Sequence, residues 1–157
     1  MTSTVTAATM TVTLTEAISL NGSDQGSTNT LTIASVNEIS KRIVTATTTE
    51  QIILAFGTVV APGQFLEAKV VYIRITNLDD TNHVGLIFRN ENNDEFSVKL
   101  DKGQSFIYNG DLAGGVVDTM DAVDNSGLTT NTFGDLVDIT ADADTASCDL
   151  EIFVASI

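Results

Sequence analysis

"VYIRITNLDDTNHVGLIF", Val71–Phe88, decides how the chain is read. Val71, Ile73 and Ile75 fall on one face of an extended segment, and Val84, Leu86 and Phe88 do so again. Side chains two apart share a face of a strand, so each half predicts a strand with one buried side. Between them, Asn77 to His83 is almost all turn chemistry. The stretch therefore predicts a β-hairpin, and it places no group suited to covalent or acid–base chemistry.

The same alternation runs outward in both directions. Met10, Val12 and Leu14 alternate with Thr9, Thr11, Thr13 and Thr15, which predicts a long half-buried strand, and Ile18 and Leu20 keep its phase. "NGSDQGSTN", Asn21–Asn29, reads as a flexible loop by composition. Short strands are expected around Leu31 and Ile33, from Ile39 to Thr45, and from Ile52 to Phe56. In "APGQF", Pro62 presets the second position of a turn and Gly63 supplies positive φ at the third, so a type II turn is expected. "NENND", Asn90–Asp94, and "DKG", Asp101–Gly103, are further reversals. Strands are expected at Phe96–Leu100, at Phe106–Tyr108, at Val137–Ala141 and, after "DADT", at Cys148–Val154. Residues 109–134 differ in kind, with five glycines, several Asp and few large apolar side chains. They predict a long loop excursion of the sort that is functional or mobile.

With turn signals at short intervals and no helix of ordinary length, the expected fold is all-β. It is a single antiparallel, jelly-roll-like β-sandwich of about eight to nine strands. Residues 1–8 are expected to form a flexible N-terminal arm, and 9–157 the sandwich domain. A length of 157 residues supports a core without metal or disulfide. Thr supplies about one residue in seven, and its β-branching suits a pleated surface.

The formal charge is −14, and all seven basic residues lie between Lys41 and Lys102. Such a chain repels a phosphate backbone, so nucleic acid is not an expected partner, and anionic membranes are disfavoured for the same reason. The first ten residues lack the basic and continuous apolar regions of a secretory signal, and no apolar run approaches a membrane span. Cys148 is the single cysteine and shares its phase with Leu150, Ile152 and Val154, so a buried, inert thiol is expected.

Reactive constellations are scarce. His83 is the single histidine and is expected to be a solvated turn residue. One His and one buried Cys leave no nucleophile–base arrangement and no zinc site, so no catalytic residues, cofactor or resident metal are assigned and the chain is not expected to be an enzyme. Calcium is the ion to consider, at Asp118, Asp121 and Asp124, whose spacing matches no complete EF-hand, or at Asp142 and Asp144, whose alternation on one strand face reads more simply as a solvated face. Tyr72 and Arg74 point away from the Val71–Ile75 row. As interface-prone residue types they are the expected partner-contact face.

Four stretches, "NEISKRIVTATTTEQIILAF", "KVVYIRITNLDDTNHVGLIFRN", "EFSVKLDKGQSFIYNGD" and "VDITADADTASCDLEIFVAS", suggest a family. Together they resemble small structural proteins of tailed bacteriophages, those of marine and cyanobacterial phages in particular. The resemblance implies a virion protein on the outer surface of the capsid, assembled in the host cytoplasm. Its role there would be decoration or cement that binds the major capsid protein, as a homo-oligomer for which a trimer is the guess. A tail-associated structural or adaptor protein is the alternative within the virion. A carbohydrate-binding β-sandwich module is the alternative from another class.

Overall fold

The computed structural model describes residues 4–109, 119–120 and 133–157. The strands are β1 (Ala8–Glu16), β2 (Ser19–Leu20), β3 (Ser23–Asp24), β4 (Ser27–Val36), β5 (Glu38–Ala46), β6 (Gln51–Gly57), β7 (Phe65–Leu66), β8 (Val70–Asn77), β9 (Val84–Asn90), β10 (Glu95–Leu100), β11 (Ser105–Asn109), β12 (Thr119–Met120), β13 (Phe133–Gly134), β14 (Leu136–Ala143) and β15 (Cys148–Ser156). Among the described residues the helical content is one 3-10 turn, Glu67–Lys69. The predicted all-β architecture is therefore the observed one.

Two sheets form the body. One runs β10-β9-β14-β6-β7 and the other β11-β8-β15-β5. The alternation seen in the sequence becomes two inward-facing rows. Leu54, Phe56, Leu86, Phe88, Ile139 and Ala141 come from the first sheet, and Ile73, Ile75, Leu150, Ile152 and Val154 from the second, all in one buried cluster. Phe88 links the layers. Its ring stacks on Phe96 in its own sheet at 4.6 Å and meets Phe106 of the other sheet at 4.8 Å. Burying each such side chain is worth about 1.5–3 kcal/mol, so the two rows are the main source of stability. Arg42 fastens one side by donating from Nη2 to the Ile53 carbonyl across the sheets, 2.5 Å.

The pairing is nested. β5 pairs with β15, β6 with β14, β8 with β11 and β9 with β10, all antiparallel. The closing pairs are β15 with β8 and β14 with β9. An eight-stranded antiparallel ribbon folded over on itself has this order.

That order corrects the reading of Val71–Phe88. β8 and β9 lie in different sheets, so the stretch is an arch from one layer to the other and not a hairpin. "DKG" is likewise an arch, between β10 and β11. Hairpins and arches share one sequence pattern, because in both each strand buries one face. The arch is held by Asn77, whose side chain is buried. Its Nδ2 donates to the carbonyls of Asn82 (3.0 Å) and Leu100 (3.2 Å), and its Oδ1 accepts from Asp79 N–H (3.0 Å). Asp79 Oδ1 in turn accepts from Thr81 and Asn82 N–H, which holds its carboxyl below the ordinary range. Gly103, at φ 70°, lets the second arch turn tightly enough for its N–H to reach the Asn77 carbonyl, 3.1 Å.

Two turns match expectation. Asn90–Asp94 closes the true β9–β10 hairpin, with Asn90 Oδ1 accepting from the N–H groups of Asn92 and Asp94. At Ala61–Gln64, Gly63 has φ 82° and Gln64 N–H donates to Ala61 O, as a type II turn requires. Within the excursion expected at 109–134, Asn109 still belongs to β11, β12 and β13 pair antiparallel, and the rest lies outside the described residues.

Candidate interaction surface

The segment before the sandwich folds into a two-stranded ribbon, β1 against β4. Its register sets Met10 opposite Ile33 and Val12 opposite Leu31 on one face, with Thr11–Thr32, Thr13–Thr30 and Thr15–Thr28 pairs on the other. Thr15 and Thr28 hydroxyls approach to 3.3 Å. The sequence reading missed how this ribbon closes. Asn21 and Gly22 have φ 51° and 79° between the β2–β3 pair, a two-residue turn with both centres at positive φ. The Asn-Gly dipeptide was the available signal. The stretch expected to be a flexible loop is mostly strand, since β4 begins at Ser27.

The ribbon lies on the outer face of the four-stranded sheet. Ile33 and Val36 are buried there with Val71, Tyr72 and Ala155, and Met10, Val12, Leu31, Phe153 and Ile157 pack around them. Tyr72 meets the Phe153 ring edge-on at 6.0 Å. Tyr72, expected to face a partner, is thus 4% exposed, because the chain's own ribbon covers it. A register shift between Ala8 and Met10, together with Ser35 at φ 63°, marks a bulge at the ribbon's base.

Beyond that cover the face is open. The β5–β15–β8–β11 register aligns Lys41, Phe153, Arg74 and Ile107 in one row and Ile43, Glu151, Thr76 and Ser105 in the next. Glu151 receives both cations, Lys41 Nζ at 3.0 Å and Arg74 Nη2 at 2.5 Å. Arg74 also donates to the Thr76 hydroxyl. The Arg74 and Lys41 hydrogen bonds hold the Glu151 carboxyl below its usual range. Asp149 stands nearby and accepts from the Thr45 hydroxyl. Arg74, the second residue expected at a partner face, is partly buried and paired with Glu151, the centre of this triad. Ile39, Ile43 and Ile107 are exposed on the same face.

The outer face of the five-stranded sheet is polar. A groove of about 530 Å³ runs over Gly85, with Lys99 and Asp142 on its flanks and His83 and Asp144 at one end. His83 Nδ1 lies 3.5 Å from Asp144 Oδ2. Asp142 and Asp144 are both exposed there. Among the described residues, no group of three or more His, Cys, Asp and Glu is placed to hold a metal ion. Asp118, Asp121 and Asp124 lie outside the described residues. Further along this sheet Arg89 pairs with buried Asp138, whose Oδ1 has no hydrogen-bond partner among the described residues. Cys148 is buried, its thiol donating to the carbonyls of His83 and Ala146, and burial pushes its pKa up. Its burial is the one its phase predicts.

Among the described residues no helix is long and apolar enough to cross a membrane. No family model matches the chain, and no curated protein or solved structure matches it.

Proposed function

We propose that this chain is a non-enzymatic structural protein of a virus particle, a decoration protein that binds the major capsid protein on the outside of a tailed-phage head. One observation carries the reading. The four stretches that resemble phage structural proteins, 37–56, 69–90, 95–111 and 137–156, hold the eight strands of the nested order, and each stretch supplies one consecutive pair. Each pair is split between the two sheets. We read that order as a jelly roll, a scaffold widely used in capsids. The acidic balance fits a position outside the shell, away from packaged DNA.

The test is stoichiometric. Mass spectrometry of intact particles should count on the order of hundreds of copies, as symmetric shell positions demand, whereas about a dozen or fewer would make it a tail component. Failure of the purified chain to bind expanded, undecorated heads would sink the decoration reading.

A second reading is favoured by the groove over Gly85, with its Lys99 and Asp142 flanks. Polar clefts on a sandwich face can hold a sugar, and binding on a glycan array would support that reading. Against it, the groove is lined by no Phe, Tyr or Trp, so a sugar would find no stacking platform there.

A further inference from the structure

The ribbon uses only half of its apolar row on its own sheet. Met10, Val12, Leu31 and Ile33 are covered, while Leu14, Ile18 and Leu20, further along, are 50%, 56% and 61% exposed. The receiving side shows the matching excess. A groove of about 370 Å³ at the ribbon's base is lined by Val5, Ala8, Met10, Val36 and Ile39. Further along β5, Ile43 shares the outward face of Ile39 and is 64% exposed. Exposed apolar surface of this extent marks a contact site.

Charge says what covers it. The chain is at −14, so two copies repel over most of their surface. Yet the ribbon, residues 8–36, holds only two of the 21 acids, Glu16 and Asp24, both towards its tip. The receiving face carries Lys41, Arg74, Glu151 and Asp149, with Glu38 in the wall of the base groove, a sum of only −1, and the Lys41–Glu151–Arg74 triad alone is net positive. These are surfaces on which like-charged copies can meet with little repulsion. The same face already accepts the proximal half of a ribbon of this sequence.

We propose that the distal ribbon of one copy, through Leu14, Ile18 and Leu20, docks on the Ile39–Ile43 face and base groove of a second copy. Glu16 then lies towards the Lys41–Arg74 cations. Donor and acceptor patches differ, so the contact is exchanged reciprocally in a dimer or repeats around a ring. The inference goes beyond the capsid reading, and its test uses free protein, so either can fail alone.

Sedimentation equilibrium of the full chain at up to about 200 µM should show self-association stronger at high salt, because screening weakens the repulsion between copies. The ribbon variant L14D/I18D and the face variant I39D/I43D should each weaken association about tenfold or more, while I52D, on the other sheet, should leave it unchanged. Mixing the ribbon variant with the face variant should restore a complex, since each retains the half the other lacks. Circular dichroism and thermal midpoints establish that the variants fold, and L14T/I18T replaces any that does not. A wild-type monomer throughout this range, variants that associate like wild type, or a mixture that stays monomeric would each overturn the proposal.

Discussion

The sandwich and the ribbon are written in the same alternating code, yet they are stabilised differently. The central strands of the sandwich, β8, β9, β14 and β15, bury their apolar rows against the facing sheet, with Leu86, Ile73, Ile75, Leu136, Ile139 and Leu150 fully enclosed. The ribbon has two strands and one covered half-row. A two-stranded hairpin is at best marginal in water, so the ribbon's order derives from the few side chains at its base. Alternation therefore specifies a strand, and what the strand packs against decides how firmly it is held.

The sharpest way to probe this contrast is to damage one region and watch the other. Phe88→Ala removes the ring that joins both sheets. It should cost about 3–5 kcal/mol by denaturant unfolding, with sandwich and ribbon lost together. Ile33→Ala should cost about 2–4 kcal/mol, and its effect should be confined. Hydrogen exchange should accelerate at amides 8–36 while β9 and β14 stay protected. Equal acceleration in all three would show that the two regions form one cooperative unit, and the contrast would fail. Asn77→Ala leaves the carbonyls of Asn82 and Leu100 and the Asp79 N–H short of a partner. About 1–3 kcal/mol should be lost, with exchange concentrated in residues 78–83 and 101–104.

The smallest effect is expected from Glu151→Gln on the open face. In the folded chain Arg74 and Lys41 keep this carboxyl below its ordinary value of 4.5. A lowered folded pKa means the carboxylate stabilises the fold above about pH 4.5, and that contribution is lost as pH falls through the folded value. Wild type should thus be slightly more stable than Glu151→Gln at pH 7, and the two should converge in acid. Denaturation midpoints between pH 7 and pH 3 check the sign, and a gap that widens in acid would contradict it.

Much of the fold was legible residue by residue. Ile73 and Ile75 and the rows Val84–Phe88 and Cys148–Val154 are buried as their phase predicts, and Gly63 turns as its Pro-Gly context requires. Val71, however, is buried under the ribbon with Tyr72, because the β8–β15 register shifts there and puts Val70 in the inter-sheet core. The type of connection was not legible. "NLDDTNH" and "NENND" have similar composition, but the first crosses between sheets while the second closes a hairpin. The difference lies in Asn77, which besides its local partners reaches Leu100, 23 residues away, against Asn90, whose partners are two and four residues away. The interaction surface was half legible. Tyr72 and Arg74 do share the outer face of β8, but no local pattern announces that β1 and β4 fold back over Tyr72 and leave Arg74 to Lys41's carboxylate partner.

By itself the sequence determined the long strands, the inward faces of most of them (Ile39 and Ile43 of β5 face outward) and the acidic, cysteine-poor composition, because side-chain period and charge are local properties. Tertiary structure alone decided which strand pairs with which, which reversals are arches, and which outward face the ribbon covers. Those depend on contacts between residues far apart in the chain, and period two is blind to the identity of the neighbour.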